Sequence, residues 1–449
     1  MPPEPPPAAP RGGVGAAVAA ATERARKSLL RNHGGGHAPV SNLELFFDLV
    51  YVFAITQISN FMHHHLGLLG LFEGVLLFLA VWWAWIYTTW VANWTNPDRM
   101  PIRLLLLGVM LLSLAMAVTL PKAFGDKALA FAASYVALQV GRSALTALVF
   151  RVEHAPNAVN MARIGLWFVF SAPLWLAGAL LGGGWQLACW SAALAIEFAG
   201  PFAQFPVPGL GHSRLSDWDI SGSHMAERCA LFIIIALGEG IVVTGTSLAS
   251  LSMEPGRIAA FVIAFFGSAL MWWLYFDLGM ERGARMIAGH AQAGRLARNA
   301  YTYLHMPIVL GIIVVAVGDA LLLEHWSEPA SEAFVAAQIG GILLFIGGVG
   351  LFKRFASTFG NFPFSHSIAA LLFVLLGLWG LIFAPHSSLF AVMLVVVLFI
   401  TALWEWVSYH GGWLERMEAR GWPLADRLRQ RNRRRNEARL ARQSGQPVD

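Results

Sequence analysis

The sequence predicts an all-α polytopic membrane bundle of about twelve transmembrane helices, and three observations carry the prediction. The 449-residue chain is 57% hydrophobic and only 13% charged, whereas soluble domains run near a quarter charged; its mean hydropathy is +0.59. Apolar runs of roughly 20 residues, the length that spans a bilayer, recur along the chain. Runs such as LLFVLLGLWGLIF do not alternate apolar and polar residues, which excludes the strands of a transmembrane barrel.

The elements follow in order. Residues 1–40 open with MPPEPPPAAP and are rich in Pro, Ala, Gly and Arg, a composition that cannot build a core and is expected to form a disordered cytoplasmic tail. No basic segment followed by a short apolar stretch and a small-residue cleavage site is present, so the first helix is expected to remain as an anchor. Twelve spans are expected at approximately 44–62, 68–92, 102–120, 128–150, 162–181, 185–205, 227–250, 257–280, 298–322, 331–352, 366–384 and 388–410. Residues 411–449 form a basic tail containing RLRQRNRRRNEARLAR.

Charge placement gives an orientation. With both ends inside, the inner loops hold Arg99, Arg103, Arg151, Arg163, Arg214, Arg282, Arg285, Arg295, Arg298, Lys353 and Arg354. The outer loops hold only Lys122, Lys127 and Arg257. That asymmetry is the positive-inside pattern, and an odd number of spans would scramble it. The basic ends also explain the net charge of +5: they are topology signals that can meet anionic lipid head groups, not a nucleic-acid surface. Cys189 and Cys229 are the two cysteines and both sit at or in apolar runs, so neither a disulfide framework nor a CxxC metal site is expected.

The halves resemble each other. ELFFDLVYVFAITQIS answers ERCALFIIIALGEGIVV, each opening on a Glu (Glu44, Glu227) with a polar group about three turns on, Thr56-Gln57 or Glu239. Trp82-Trp83-Ala84-Trp85 answers Trp272-Trp273-Leu274-Tyr275, and Glu197 answers Glu405. The expectation is two parallel six-helix repeats, 41–210 and 222–410, related by a pseudo-twofold along the membrane normal.

The polar residues inside the spans are the candidates for function, because a charge at mid-bilayer costs about 2.5–3.5 kcal/mol and must face protein, a partner or water. At about 100° per residue, Glu44, Asp48, Tyr51, Ile55 and Ser59 share a stripe of the first helix and Gln57 lies off it. Glu44 is near the inner end, within reach of the surface; Asp48 lies a turn deeper. On the seventh helix Arg228, Glu239, Thr246 and Ser250 share a stripe, with Arg228 and Glu239 about 16 Å apart, too far to pair. Glu239, between Gly238 and Gly240, is the deepest acid. Either an ion or substrate contact or a packing hydrogen bond between helices accounts for such groups. His63-His64-His65 needs a loop to converge on one metal, and a plain interfacial loop is expected. The Gly pairs in GGILLFIGGVG point to close helix packing, not a phosphate loop, since no strand-to-helix context or terminal GKS or GKT is present.

ELFFDLVYVFAITQIS followed by WWAW, then HMAERCALFIIIALGEGIVV, resembles the bacterial low temperature requirement protein A (LtrA) family over residues 41–410. The resemblance implies a multi-pass bacterial membrane protein named for a role in growth in the cold, and it brings no cofactor or catalytic residue. Glu44, Asp48, Gln57, Glu227 and Glu239 match its motif positions. Where the family often reads Gly-Glu-Ser, this chain has Gly238-Glu239-Gly240. A fainter similarity, an early Asp followed by AIT, is to endolysosomal potassium channels, but Leu231 stands where the second half would need its Asp.

The function expected is a transporter or ion pathway for a small ion or polar solute, through a central cavity between the halves in the bacterial inner membrane. The pathway residues expected are Asp48, Gln57 and Glu239, with Glu44, Glu227 and Arg228 beside them. The alternative is a non-transporting membrane scaffold or sensor supporting growth at low temperature, in which the acids are fully hydrogen-bonded between helices. No catalytic constellation, cofactor or metal site is expected: His224, His305 and the acids form no recognisable motif.

Overall fold

The computed structural model describes residues 28–31, 39–153, 157–213, 221–276, 298–355 and 362–409. Most of the expected N-terminal tail, the basic tail 411–449 and the inner-loop residues Arg214, Arg282, Arg285 and Arg295 lie outside the described residues.

Twelve long α-helices occur among the described residues, one for each expected span. They are α1 Asn42–His64, α2 Leu68–Trp94, α3 Met100–Thr119, α4 Ala128–Val152, α5 Ala158–Leu181, α6 Gly183–Ala203, α7 Gly222–Ser250, α8 Pro255–Phe276, α9 His305–Glu324, α10 Glu332–Phe355, α11 Phe364–Phe383 and α12 Ser387–Tyr409. Eleven are long and apolar enough to cross a membrane. The exception, α6, carries Gln186 and Glu197, both buried.

Local chemistry sets the starts and stops. Ser41 and Glu44 form a reciprocal capping box at the start of α1, two otherwise orphaned donors satisfied at once. Pro101 sits in the first turn of α3, where its missing N–H costs nothing. Gly182 at φ 68° separates α5 from α6, a left-handed backbone that favours glycine. The expected start of the ninth span is a seven-residue π-helical stretch, Arg298–Leu304, leading into α9. Two tryptophans from α2 pin it: Trp82 Nε1 donates to the Thr302 carbonyl at 2.9 Å and Trp90 Nε1 to its hydroxyl at 3.1 Å.

Within residues 42–203, α1 packs on α2 and α3, α3 on α4, α4 on α5, α5 on α6, and α2 on α6. Within residues 222–409 the same order recurs: α7 on α8 and α9, α9 on α10, α10 on α11, α11 on α12, and α8 on α12. Across the middle, α7 and α9 pack on α1 and α2. α1 and α7 run parallel, since His224 meets Glu44, Arg228 meets Asp48 and, further along both, Glu239 meets Thr56. Five helices, α2 to α6, lie between them, and an odd number of alternating helices returns the chain to the same direction.

The core lies along α2 and α9. From Ile308 to Leu323 every residue of α9 is buried. The paired tryptophans of the halves do not share an environment: Trp82 and Trp83 are buried, whereas Trp272 is 52% exposed. Glycine sets the α9–α10 spacing. A Cβ on Gly311 would lie 2.5 Å from the Gly341 carbonyl oxygen and 2.6 Å from the Phe345 nitrogen. Those neighbours are backbone and cannot rotate away, so the two helices touch main chain to main chain, the geometry small residues permit in membranes.

Gly311→Ala should therefore destabilise the bundle by roughly 1–3 kcal/mol, the usual cost of overpacking. A clear drop in the melting temperature of the purified protein is the expected result, and Gly340→Ala, at a position with open space beside it, is the control that should leave melting unchanged.

Candidate functional site

The polar stripe of α1 faces α7, and all five of its residues are buried. Asp48 is 2% exposed and Arg228 0%. Arg228 Nη1 and Nη2 each donate to one Asp48 oxygen at 2.8 Å, a two-pronged pair, and Nη1 also donates to the Glu44 carbonyl at 2.8 Å. Trp85 Nε1 of α2 donates to Asp48 Oδ1 at 2.9 Å. The guanidinium lies 5.7 Å from the Phe47 ring centre and 5.9 Å from that of Trp85, so its faces meet aromatic surface while its edge meets carboxylate.

One turn earlier, Glu44 does not reach the surface; it turns into the bundle, 1% exposed. Its Oε2 accepts from Ser41 N and Oγ, both at 2.8 Å, and from Arg31 Nη2 at 3.1 Å. Its Oε1 accepts from His224 Nε2 at 2.7 Å. Asn93 Nδ2, which can only donate, lies 3.1 Å from His224 Nδ1. That contact fixes the tautomer: Nδ1 accepts and Nε2–H is left to donate to Glu44. The strap Ser28–Arg31 is held at the same end, where Ser28 Oγ and Leu29 N donate to Glu153 and Leu30 bridges Thr95.

Glu239 is a different kind of acid. It is 1% exposed. Oε2 accepts from the Thr56 hydroxyl of α1 at 2.5 Å, and Oε1 is buried with no partner among the described residues. Thr56 is its hydrogen-bond partner among the described residues, and no ion pair joins it there. Gly240 sets its back against α8 and α9, where a Cβ would lie 3.2 Å from Ser268 Oγ.

The other expected residues lie apart. Gln57 and Glu227 are half-buried. His63 and His64 complete the last turn of α1, where a loop was expected, and His65 caps it. His64 and His65 each donate from Nδ1 to the carbonyl four residues back, at 2.8 and 2.9 Å, while His63 pairs with Glu324 at 3.2 Å. Two small cavities, each of about 20 Å³, lie elsewhere: one is lined by Tyr87, Trp90, Arg298 and Thr302, the other by Asp319 and Gln338 with apolar neighbours. Neither Asp48 nor Glu239 lines either one.

Sequence reasoning passed over three buried groups. Arg142 in α4 donates to Gln139 Oε1 at 2.5 Å and to the Ala84 carbonyl and Thr88 hydroxyl of α2 at 3.2 Å. Tyr135 joins that chain to Glu197, which accepts from Tyr135, Ser171 and Trp175. Lys353 pairs with Glu405, which also meets His366 at 2.9 Å. Asp319 accepts from Gln338 at 2.7 Å. The signal was present for Arg142 and Asp319, since each is a lone charge in an apolar span.

Comparison with known proteins adds one name. The family described as bacterial low temperature requirement A protein (LtrA) matches residues 39–402. An uncharacterized protein of Rhizobium meliloti (strain 1021) is 36% identical over 381 residues, covering 84% of this chain and 92% of its own. No solved structure matches.

The Asp48–Arg228 pair sets up a direct energetic test. Breaking a buried pair from one side leaves an uncompensated charge and costs about 3–5 kcal/mol, whereas apolar replacement of both partners is often neutral. Asp48→Leu and Arg228→Met should each lower the melting temperature sharply, and the double variant should recover most of the loss. Additive losses in the double variant would contradict the pairing.

Proposed function

The chain belongs to the bacterial low temperature requirement A protein family, and we propose that it is a transporter or ion pathway for a small cation or polar solute. In this reading it works in the bacterial cytoplasmic membrane with both termini inside, without enzymatic activity, and its exchanging group is Glu239.

The single observation that carries the reading is the buried, half-satisfied carboxyl of Glu239. A group that served only to join α1 to α7 would need nothing beyond Thr56, and an amide or hydroxyl would do it without placing an ionisable group in the bilayer. One oxygen bound and one unbound, with no cation beside it, is what a carboxyl that takes up and releases a proton or small cation needs. The glycines on either side let neighbouring backbone come close and let the helix open locally.

The repeated packing order of α1–α6 and α7–α12 supports two parallel six-helix units with the site at their seam. Asp48 takes a different part from the one the sequence suggested: paired to Arg228 and Trp85, it anchors α1 to α7 beneath the site. The basic terminal segments fit contact with anionic head groups on the inner leaflet.

One observation favours the second reading, a scaffold or sensor that transports nothing. Glu44, Asp48, Arg31, His224 and Arg228 satisfy one another, as a fixed joint between helices would.

Proteoliposome flux separates the two. Purified protein in sealed vesicles with an internal pH dye and imposed Na⁺, K⁺ or proton gradients should dissipate at least one gradient. Glu239→Gln should reduce that flux to the protein-free background while leaving the stability within about 1 kcal/mol of wild type, as expected for removing one exchangeable proton at a site still bonded to Thr56. Unchanged flux in the variant removes Glu239 from the pathway, and no wild-type flux under any gradient leaves the scaffold reading.

A further inference from the structure

Asp319 and Gln338 sit outside the α1–α7 seam and have no part in the reading above. Asp319 is 5% exposed and Gln338 4%. Gln338 Nε2 donates to Asp319 Oδ1 at 2.7 Å, and no Lys or Arg among the described residues bears on the acid. Gly318 makes room for the contact, since a Cβ there would lie 2.8 Å from Gln338 Nε2. With one of its N–H groups given to the carboxylate, the amide keeps its carbonyl oxygen as an acceptor, and the carboxylate keeps further lone pairs.

The pair opens on a cavity of about 20 Å³ between α8, α9, α10 and α12. That is room for one water-sized group. The other walls are apolar, among them Met271, Val315 and Leu394. Ile263 of α8 and Val395 of α12 line it and are only half-buried. Their neighbours Val262, Phe266, Val392 and Val396 are exposed at 39–53%. The mouth therefore faces the lipid flank. Asp319 stands five residues before the end of α9 at Glu324, roughly 7–8 Å in along the axis.

We propose that Asp319 and Gln338 form a binding site for a primary ammonium group carried on an apolar chain. The ammonium sits in the water-sized void, donating to the carboxylate and to the Gln338 carbonyl, and its chain leaves between Ile263 and Val395 into the bilayer. A bare metal ion is disfavoured by the same geometry, because two oxygen-bearing side chains among apolar walls fall short of the six or more oxygens that hard cations take. A quaternary ammonium is too large for the void and has no N–H to give. An amphiphilic alkylamine and the head of an aminolipid share the chemistry required.

The test uses the full chain in phosphatidylcholine nanodiscs. Dodecylamine should raise the melting temperature, since a ligand of the native state stabilises it. Dodecyltrimethylammonium, with the same chain and charge, should not. In Asp319→Asn the dodecylamine concentration giving half the shift should rise about tenfold or more, the loss of a charged hydrogen bond. Val395→Phe, which fills the mouth from the lipid side and leaves the acid in place, should do the same and covers the case in which Asp319→Asn fails to fold. Discs containing phosphatidylethanolamine decide the source: a smaller dodecylamine shift there, absent in Val395→Phe, identifies an aminolipid, and an undiminished shift identifies a free amine. Equal stabilisation by the quaternary compound, no shift with dodecylamine, or a shift that survives in both variants overturns the proposal.

Discussion

An ionised group removed from water must be met by opposite charge or by hydrogen bonds, and in this bundle the Arg228–Asp48 contact is where that demand is largest. Both partners are almost wholly buried and sit on helices from different halves of the chain. The desolvation of two ions is offset only because geometry is close to ideal: two parallel N–H···O bonds, a third to the Glu44 carbonyl, an indole N–H on the carboxylate and aromatic rings over the guanidinium. Removing that contact would leave a charge in hydrocarbon on either side. α1 and α7 are therefore tied in register at this level, and Glu44 with His224 and Arg31 extends the tie to the helix end. Everything else at the seam is placed relative to this joint.

Away from the joint, Lys353 and Glu405 form a second ion pair, and elsewhere the same demand is met with neutral groups. Glu197 is surrounded by tyrosine, serine and indole donors; Tyr275 and His305 satisfy each other at 2.8 Å. Thr302, in the π-helical entry to α9, takes two indole N–H groups from α2. Trp82, Trp85, Trp90 and Trp175 thus do more than fill space: their single donors reach backbone, hydroxyl and carboxylate oxygens on neighbouring helices. Glu239 is met only in part. Its second oxygen has no partner among the described residues, and it lies about three turns from Arg228 along the same helix. A locked pair at one level and a half-satisfied acid at another divide the seam into a fixed end and an end with chemistry to spare.

The helices were readable because apolarity sustained over 20 residues is a property of each segment alone. The stripe Glu44, Asp48, Tyr51, Ile55, Ser59 was readable for the same reason, since helical periodicity needs no partner. The capping box in SNLE is equally local. Partnership was not readable. Arg228 stood in the sequence beside Glu239 on one stripe and out of its reach, and only the parallel packing of α7 on α1 brings it to Asp48. The π-helical turn at Arg298–Leu304 depends on Trp82 and Trp90, some two hundred residues earlier. Three adjacent histidines point in sequence to a loop, but carbonyls at the end of α1 offer acceptors that let the helix run on through His64. Asp319 is legible as a lone acid in an apolar span, but its partner Gln338, on the next helix, is not.

The proposed function needs a fixed contact between α1 and α7 at Asp48–Arg228 and an exchangeable one at Thr56–Glu239. Spin-label distances across the seam test it most directly. One pair of labels replaces the exposed Leu45 and the half-buried Leu231 near the ion pair, the other the exposed Asn60 and Thr246 beyond Glu239. Measured in nanodiscs between acid and alkaline pH and with and without Na⁺ or K⁺, the first distance should stay single and constant. The second should broaden or shift with the condition that loads Glu239. A second distance as invariant as the first under every condition, or movement at the ion-pair end instead, would contradict the account.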